Sequence, residues 1–513
     1  MKLAFLPALG VSLLTFSVSV TADTVRNTVV AKAESLAREN YQAPAEIPRF
    51  LRDLSYDQYQ GIRFKPESSL WQDASSDFKV MLVPPGLFYT HPVKINIVAD
   101  GEIKPLAFNK SSFTFPNSEV EQEIPADLGY AGFKLTYPLE GKDTQNQFLV
   151  FAGASYYRAV SRDTNFGISG RGLAVNTGLP GGEEFPEFTE YWLETPKAGA
   201  TSFTFHALLD SPSMTGAYEF TVTPGDKTTL QVKSVVFLRT DVELLGVAPL
   251  TSMFYYGENT FRPHGEWRPE VHDSDGLLIH DGASGEWLWR PLINPTSLTT
   301  DYFATENVRG FGLIQRDDTF TQYMDTEARY DTRPSAWVEP EGDWGKGNVV
   351  LVQLPTPNET NDNIVAFWQP TKTLSPGEPQ HFAYTTTFGN QHIPAEALAR
   401  SQATFVGDGS RVGGGDQENA VRMIVDFAGQ ALDKLGADAP IVASVTGLED
   451  SEVLGHFVEY IEPLKQWRLS ILARPADDKP LALRGYLQHE GSPLTETWTY
   501  QLPRDTGLLS IKK

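Results

Sequence analysis

Segments in which apolar and polar residues alternate dominate the first half of the chain. Alternation with a period of two is typical of half-buried antiparallel strands, and residues that favour turns separate these segments. The segments are rich in β-branched and aromatic residues, which strands favour. The pattern predicts a large β-sandwich with strands at 78–83, 93–98, 133–137, 148–152, 202–208, 218–222 and 230–238.

The N-terminal 41 residues have a different pattern. An apolar run after Lys2 ends in small residues, which predicts a cleaved secretory signal peptide at residues 1–22. Residues 23–41 then predict one amphipathic helix, with Asp23 or Thr24 available to cap it. Its apolar positions at roughly helical spacing are Val25, Val29, Ala33, Leu36 and Ala37.

The second half of the chain predicts two further regions. Residues 244–368 are dense in Trp, Tyr, Arg, Asp and Gly, and few regular strands can be assigned there except at 349–354 and 364–368. A strand is predicted at 381–388, and Gly, Pro, Asn and Ser then mark 391–415 as a linker with a short helix at 395–403. Six or seven short strands between 416 and 513 are typical of an immunoglobulin-like sandwich, at 423–427, 441–446, 453–460, 467–473, 481–488 and 496–502. The predicted domains are therefore a large β-sandwich at 23–390 and a small sandwich at 416–513.

Composition narrows the classes of protein that fit. The chain has no cysteine, which excludes disulfides, thiolate metal sites and thiol nucleophiles. A net charge of −23 argues against nucleic acid as a partner. After residue 22 no apolar segment approaches the ~20 residues that a spanning helix needs, so we expect no direct membrane insertion. An exported chain of this kind fits the bacterial periplasm.

Common catalytic motifs are absent. The chain has no phosphate-binding loop, no H-E-x-x-H motif and no G-x-S-x-G motif, since residues 167–171 miss the last of these by one position. Residues 267–291 combine carboxylates with histidines, but the spacing matches no metal signature and lacks most of a calcium loop. We therefore expect no metal and no cofactor. The side chains considered as ligands were His272, Asp273, Asp275, His280 and Asp281.

The polar segment at 359–363, Glu-Thr-Asn-Asp-Asn, interrupts two apolar strands. Asn and Asp favour tight turns, so a structural role alone would explain this composition. Alternatively, Asp362 and Asp273 could form the pair of carboxylates that hydrolyses a glycosidic bond, one as acid and one as base. Nearby aromatic residues could stack on sugar rings, although filling a core is their commoner use, and arginines could bind hydroxyls. These are Trp287, Trp289, Tyr330, Trp337, Trp344 and Trp368, with Arg268, Arg290 and Arg333.

Longer phrases resemble a known family. They include ASYYRAV (154–160), GRGLAVNTGLPGGEEFPEF (170–188), RPEVHDSDGL (268–277), YDTRPSAWVEPEGDWGKG (330–347), ETNDNIVAFW (359–368) and ETWTYQLP (496–503). In content and order they resemble the periplasmic glucan biosynthesis protein G/D family, from the exported N-terminus almost to the C-terminus. The resemblance implies a mutarotase-like sandwich followed by an immunoglobulin-like domain. It also implies action on the β-1,2-linked glucose backbone of osmoregulated periplasmic glucans.

The resemblance also implies roles for particular residues. D-type members resemble inverting endo-β-1,2-glucanases, with the general acid at Asp362 and the base at Asp273, which is thought to act through a relay of hydroxyls and water. Glu359 and Tyr330 match positions associated with the substrate. We expect apolar neighbours or Glu359 to raise the pKa of Asp362, and turn amides or Arg268 to keep Asp273 ionised. The full predicted substrate set is Glu359, Tyr330, Arg268, Trp289, Arg290, Trp337 and Trp368.

Two hypotheses from different classes remain. The first is an endo-β-1,2-glucanase, with transfer of the cleaved chain to another hydroxyl as a variant outcome. The second is a non-catalytic glucan-binding protein that assists an inner-membrane glucan synthase. The G-type and D-type features are mixed, since Lys2 is the only basic residue before the apolar run, whereas Asp275 resembles D-type chains.

Overall fold

A computed structural model describes residues 22–390, 398–409, 419–476 and 479–504. The helices are α1 (Ala22–Ala37), α2 (Arg49–Arg52), α3 (Tyr56–Gln60), α4 (Ser118–Glu123), α5 (Phe320–Tyr323) and α6 (Gln430–Asp433). Short 3-10 helices cover Pro66–Ser68, Lys110–Ser112 and Tyr330–Thr332. The predicted signal peptide lies almost entirely outside the described residues and stays a prediction.

The strands of the first half are β1 (Arg63–Phe64), β2 (Lys79–Val83), β3 (Lys94–Ala99), β4 (Glu102–Pro105), β5 (Phe113–Thr114), β6 (Gly132–Tyr137), β7 (Asn146–Ala152), β8 (Tyr156–Ala159), β9 (Ser169–Arg171), β10 (Leu173–Val175), β11 (Glu187–Glu194), β12 (Phe203–Asp210), β13 (Met214–Thr223), β14 (Thr228–Leu238), β15 (Leu245–Ser252) and β16 (Phe254–Tyr256). Those of the second half are β17 (Val271–His272), β18 (Gly276–His280), β19 (Trp287–Pro291), β20 (Thr299–Glu306), β21 (Gly310–Ile314), β22 (Ser335–Pro340), β23 (Lys346–Gln353), β24 (Ile364–Pro370), β25 (Gln380–Gly389), β26 (Arg400–Asp408), β27 (Val421–Ala428), β28 (Val442–Leu448), β29 (Glu452–Ile461), β30 (Gln466–Arg474), β31 (Leu481–His489), β32 (Ser492–Pro493) and β33 (Thr497–Leu502).

Two large sheets form a β-sandwich. One has the order β2-β6-β7-β8-β9-β15-β24-β23-β20, with β10 paired to β15. The other runs β28-β31-β33-β19-β18-β21-β22-β25-β14-β13-β12-β11-β3-β4, with β32 paired to β31. Aromatic side chains fill the space between the sheets, because Phe133 and Phe205 meet with ring centroids 5.2 Å apart and Phe151 and Phe220 with centroids 5.0 Å apart. The prediction of a mainly β sandwich is confirmed.

The strands that alternation predicted in the first half are present. The expectation of few regular strands in 244–368 was wrong, because β15, β18 and β21 run through that region. Nearly all residues of these three strands are buried on both faces. A strand covered on both faces does not alternate apolar with polar residues, which is why periodicity missed it.

The C-terminal strands form a second, smaller sandwich from one separate sheet and from the end of the larger sheet described above. The order β26-β27-β30-β29 forms one sheet, and its apolar side chains pack against those of β31 and β33 in a separate core cluster. The larger sheet is continuous with the first sandwich, because β19 pairs in parallel with β33 at Leu288 opposite Thr497 and Trp289 opposite Trp498. The predicted domain limits and the immunoglobulin-like assignment stay predictions.

The predicted linker at 391–415 contains a strand where the structure describes it. Residues 391–397 and 410–415 lie outside the described residues, whereas Arg400–Asp408 forms β26. The short helix expected at 395–403 is therefore wrong from Arg400 onward. β26 pairs along its length with β27, and this tertiary pairing overrides the local helical preference.

Helix α1 lies on the outer face of the larger sheet. Val25, Val29 and Ala33 recur every four residues and are buried against side chains of β11 to β14. The Thr215 hydroxyl donates a 2.7 Å hydrogen bond to the Ala33 carbonyl, and Lys32 forms an ion pair with Glu190. The predicted helix at 23–41 is confirmed within a few residues.

This packing predicts that volume added at Ala33 weakens the fold. Ala33 has no exposed surface, so Ala33→Leu forces α1 away from the sheet and lowers the free energy of unfolding by about 1–3 kcal/mol. The control Ala31→Leu adds the same volume at an exposed position of the same helix and changes stability by less than about 0.5 kcal/mol. Denaturant unfolding measures both variants, and equal stabilities would contradict the placement of α1.

Candidate functional site

The loop 354–363 joins β23 to β24 and is held by its last residue. Asn363 is buried, and its Nδ2 donates to the Phe254 carbonyl at 3.0 Å and to the Leu354 carbonyl at 2.9 Å. Its Oδ1 accepts from the Phe254 amide at 2.9 Å. Three bonds from one side chain fix the loop against β16. The neighbouring Asp362 is therefore presented from a rigid position.

Asp362 lies at the surface beside an arginine. Its side chain is 28% exposed, and Nη2 of Arg158 lies 3.3 Å from its Oδ2. Arg158 comes from β8, and its Nε donates to the Ser169 hydroxyl at 2.7 Å. Because β8, β9, β15 and β24 are neighbours in one sheet, the sheet itself brings Arg158 to Asp362.

Asp273 is buried directly after β17. Its amide donates to the Met253 carbonyl at 2.8 Å, and its carboxylate forms an ion pair with Arg333. Burial raises the pKa of Asp273; Arg333 opposes that rise and the negative charge of Asp362 adds to it. The two carboxylates thus lie within electrostatic range of each other, and the structure brings together the two predicted aspartates.

The ion-pair partners differ from those expected. Arg333 pairs with Asp273 in the place expected for Arg268. The Nη1 atom of Arg268 lies 2.6 Å from Oε2 of Glu359, and Glu359 is therefore neutralised by an arginine. Asp362 itself is partly exposed and has Arg158 beside it. The expected effect of Glu359 and of apolar neighbours on Asp362 stays a prediction.

Arg268 connects the segment before Asp273 to the Asp362 loop. Besides Glu359, its guanidinium bonds Asp325 at 3.0 Å and Glu266 at 2.8 Å. The hydrogen bond from Arg268 lowers the pKa of Glu266 to about 2, although burial acts the other way. Charge-assisted bonds of this kind hold groups in fixed geometry. Arg268 therefore positions Glu359 at the edge of the site.

Tyr330 packs behind Asp273. It is buried in the 3-10 helix Tyr330–Thr332, and the guanidinium carbon of Arg333 lies 4.4 Å from its ring centroid. Burial raises the pKa of Tyr330 above its usual range, so the hydroxyl keeps its proton. The predicted group of Tyr330, Asp273, Arg268 and Glu359 is assembled around Asp362.

The other four predicted substrate residues lie in the two cores and do not line this site. Each is at most 5% exposed, which leaves no aromatic face or guanidinium free for a sugar. Trp289 stacks under the guanidinium of Arg316 at 3.5 Å, Arg290 pairs with Asp301 at 2.8 Å, Trp337 stacks on Trp287 with centroids 5.7 Å apart, and Trp368 packs on Trp344 with centroids 4.9 Å apart.

Arg158 and Trp267 are site features that sequence reasoning did not single out. Arg158 lies in the phrase ASYYRAV and points to the polar face of β8, where alternation with Tyr157 and Ala159 could have marked it. Trp267 is 64% exposed and directly precedes Arg268. A large aromatic residue left exposed beside a polar cleft marks a binding surface more often than a core.

A buried network of ionisable side chains lies next to Asp273 in the chain. Glu270, His272, Asp275 and Asp317 place one ligand atom each within 4.8 Å of one another, a spacing that could hold a metal ion. These atoms also bond to each other and to backbone amides: His272 Nε2 lies 3.0 Å from Glu270, and the Asp317 amide donates to Asp275 at 3.0 Å. We therefore assign no ion to the network.

His280 and Asp281, considered above as ligands, lie outside this network. The ring of His280 stacks on Trp287 with centroids 4.1 Å apart. Asp281 accepts a 2.8 Å hydrogen bond from the Ser284 amide and serves a turn.

His272 in this network and Glu258 beside it both have raised pKa values. Burial alone would lower the pKa of His272, but Asp275, Glu270 and Glu258 raise it to about 9. Burial, Glu270 and Asp275 raise the pKa of Glu258 to about 8. Each of these two groups therefore binds a proton more tightly in the folded protein than in the unfolded chain.

Strands of the C-terminal region contact this network. The Thr404 amide donates to Glu258 at 2.9 Å, and Arg316 binds both carboxylate oxygens of Glu496 at 2.6 and 2.9 Å. Glu496 is fully buried and also accepts from the Ser401 amide at 2.9 Å. A pair of this kind is costly to break, because either partner alone would be a buried, uncompensated charge.

The fold and the candidate site together define a β-sandwich protein with a pair of carboxylates, Asp362 and Asp273, that have arginine partners. The chain matches the family model described as "Periplasmic glucan biosynthesis protein, MdoG" over residues 25–502, and it belongs to that family.

Curated relatives agree with this assignment. The chain is 44% identical over 485 residues to the glucans biosynthesis protein G of Pseudomonas paraeruginosa, covering 93% of this chain and 92% of the relative. The same protein from two strains of Pseudomonas aeruginosa matches equally well, at 44% identity over the same shares. The family is one of periplasmic proteins of glucan biosynthesis. None of the helices in the described part of the chain combines the length and apolar character that a membrane crossing requires.

The proton-holding network predicts that stability falls as pH rises. Glu258 keeps a proton between its ordinary pKa of 4.5 and about 8, and His272 between 6.5 and about 9, while the unfolded chain has released both. For each such proton, the free energy of unfolding falls by up to about 1.4 kcal/mol per unit rise in pH between the unfolded and the folded pKa. The stabilisation is complete below pH 4.5 for Glu258 and below pH 6.5 for His272, and it is lost as pH rises through the folded pKa.

The variant Glu258→Gln tests this prediction by denaturant unfolding between pH 5 and 9 with a chelator present. The amide still accepts the Thr404 bond but carries no titrating proton, so the slope of stability with pH between 5 and 8 should be shallower than in wild type. Glu306→Gln, at an exposed position, should keep the wild-type slope. A Glu258→Gln slope equal to that of wild type would contradict the account.

Proposed function

We propose that this protein cleaves the β-1,2-linked backbone of periplasmic glucans as an endo-acting, inverting glucanase. The observation that carries the proposal is the placement of Asp362 and Asp273 within electrostatic range of each other, with Arg158 and Arg333 as their partners. A hydrolase of this type needs one carboxylic acid to protonate the departing oxygen and one carboxylate to activate water.

Asp362 is the general acid. Its carboxyl is the more exposed of the two and so can approach a glycosidic oxygen of a bound chain. A glucan lying in the cleft would exclude water from Asp362 and favour its protonated form, because a low-dielectric environment penalises the charge. Arg158 opposes this effect and would reorient once the substrate is bound. The proton then passes to the oxygen of the leaving sugar as the glycosidic bond breaks.

Asp273 is the general base. It is only 3% exposed, so it takes the proton of the attacking water through intervening hydroxyls or water, as the family resemblance implies. Burial raises the pKa of Asp273 and makes its carboxylate a stronger base, and Arg333 opposes that rise. The new bond forms between the water oxygen and the anomeric carbon on the face opposite the leaving group.

The remaining site residues position the substrate. Glu359 is 35% exposed in its side chain and can accept hydrogen bonds from sugar hydroxyls. Tyr330 is buried and the Arg268 side chain is 13% exposed, and both act through the groups they hold, Arg268 through Glu359 and Tyr330 through Arg333. Trp289, Arg290, Trp337 and Trp368 are not included, because their side chains are enclosed in the cores.

A second candidate is a glucan-binding protein that assists an inner-membrane glucan synthase without cleaving the chain. In the free protein the Asp362 side chain is partly exposed and forms an ion pair with Arg158, an arrangement that a binding role explains without chemistry. The curated relatives are also named for glucan biosynthesis. In this case the same cleft would bind hydroxyls without chemistry.

The substitution Asp362→Asn separates the two functions. It preserves shape but removes the transferable proton, so the rate of cleavage of linear β-1,2-glucan should fall by about 10²–10⁴-fold. Product size and mass measure cleavage, and products without the added mass of water would indicate transfer or cyclisation. Asp226→Asn is the control, because Asp226 also pairs with a surface arginine, Arg162, and should keep the wild-type rate.

Equal cleavage by wild type and Asp362→Asn would remove Asp362 from the mechanism. If neither protein cleaves the glucan and both bind it, the accessory function is correct and Asp362 is a hydroxyl-binding residue.

A further inference from the structure

A groove of about 240 Å³ lies where the C-terminal strands meet the first sandwich. Its apolar lining comes from both parts of the chain, with Tyr255, Phe261 and Ile293 on one side and Val406, Tyr500 and Leu502 on the other. The exposed fraction of Phe261 is 61%, so this ring is open to solvent at the groove. We propose that the groove binds glucosyl units of the same glucan chain at a distance from the cleaved bond.

Asn259, one of the residues that line this groove, has an unpaired hydrogen-bond acceptor. It is 4% exposed, lines the groove, and its Oδ1 has no hydrogen-bond partner among the described residues. The orientation of the amide is fixed, because Nδ2 donates to the Leu292 carbonyl at 2.8 Å and contacts the Tyr500 hydroxyl at 3.3 Å. A buried, unpaired acceptor costs free energy unless a ligand or water satisfies it. A sugar hydroxyl supplies the matching donor.

The groove is linked to the loop of the candidate site through hydrogen bonds of one residue on its rim. Nδ2 of Asn294 donates to the Thr356 carbonyl at 2.9 Å and to the Tyr255 carbonyl at 3.2 Å, and its Oδ1 accepts from the Thr356 amide at 2.9 Å. Thr356 belongs to the loop that carries Glu359 and Asp362. Two of these hydrogen bonds therefore tie the rim of the groove to that loop, and the third joins Asn294 to Tyr255 in the groove itself.

The segment that carries Phe261 also leads back to the site. It begins in a turn where the Thr260 hydroxyl bonds the Gly257 amide at 3.0 Å, and it ends where the Glu266 carboxylate accepts from the Trp267 amide at 3.0 Å. The two exposed aromatic rings of this segment, Phe261 and Trp267, thus lie next to local hydrogen bonds at its two ends. Arg268 follows and contacts Glu359.

The chemistry of the groove fits a glucan. The C–H faces of glucose rings pack on aromatic rings, and their hydroxyls bond amide side chains such as Asn259 and Asn294. The groove has apolar walls with few polar groups, which is typical of a site that fixes the orientation of a ligand. This inference rests on the proposed function, because a chain cleaved at Asp362 would extend along the groove. It also gives the C-terminal strands a role in substrate binding.

The variants Phe261→Ala and Thr296→Trp test the groove. Phe261→Ala removes the exposed ring, and Thr296→Trp, at an exposed position of the lining, fills the space without disturbing a core. Thr296→Ser keeps the space, and Phe457→Ala removes an exposed ring outside the groove lining. The measurement is kcat/KM on linear β-1,2-glucans of short and long chain length.

We expect Phe261→Ala and Thr296→Trp to lower the ratio of long-chain to short-chain kcat/KM by about three- to tenfold, the usual contribution of one aromatic contact. The two control variants should keep the wild-type ratio. An unchanged ratio in both groove variants would overturn the inference while leaving the glucanase intact.

A binding measurement keeps the two proposals separate. Affinity of the Asp362→Asn protein for long glucan chains, with and without Phe261→Ala, is measured by calorimetry. If wild type cleaves nothing, the glucanase proposal fails, and a three- to tenfold weaker affinity on adding Phe261→Ala still supports the groove. Equal affinity with and without Phe261→Ala, or no binding of glucan at all, overturns it.

Discussion

The parallel pairing of β19 with β33 is the contact on which the arrangement of both halves depends. It joins Leu288 to Thr497 and Trp289 to Trp498, so one sheet runs from the first sandwich into the C-terminal strands. A strand with an unpaired edge would otherwise be exposed at this point. The pairing places Glu496 against Arg316 and Tyr500 against Asn259. The C-terminal strands joined here supply Val406, Tyr500 and Leu502 to the groove, and the Thr404 amide bonds Glu258 beside the buried network.

In the candidate site each carboxylate is paired with an arginine, but only one of the two carboxylates is buried. Asp273 is removed from water and retained by Arg333, whereas Asp362 stays at the surface beside Arg158. His272 and Asp275, which belong to the buried network, lie on either side of Asp273 in the chain. A structural change at the junction would therefore be transmitted along the backbone to Asp273, the proposed base. This coupling gives a physical reason why the proposed hydrolase would need the C-terminal strands.

Much of the fold could be predicted from the sequence, and the reasons for the failures are physical. Alternation predicted strands such as β14 and β25, which have one face more open than the other. It failed for β15 and β21, which are covered on both sides. The C-terminal strand β26 was also missed, because its partner β27 decides its conformation and local composition does not.

The site was predicted unevenly. Asp362, Asp273, Glu359 and Tyr330 match positions in phrases that resemble the family, whereas Arg268 was chosen as an arginine that could bind hydroxyls. The structure places these five residues near one another. Composition could not separate aromatic residues of the core from those of the surface, so Trp289, Trp337 and Trp368 were chosen while Trp267 was overlooked. Arg158 is 204 residues from Asp362 in the chain, and only the folded sheet brings them together. Ion-pair partners at such separations cannot be read from one sequence.

The central claim is that Asp362 and Asp273 hydrolyse a β-1,2-glucan by a single displacement. The most direct test is the configuration of the first product, followed by proton NMR while wild-type protein acts on linear β-1,2-glucan. The account predicts that new reducing ends appear first as the α anomer, since water attacks opposite the β-linked leaving group. New reducing ends that appear first as the β anomer, or no new reducing ends at all, would contradict it.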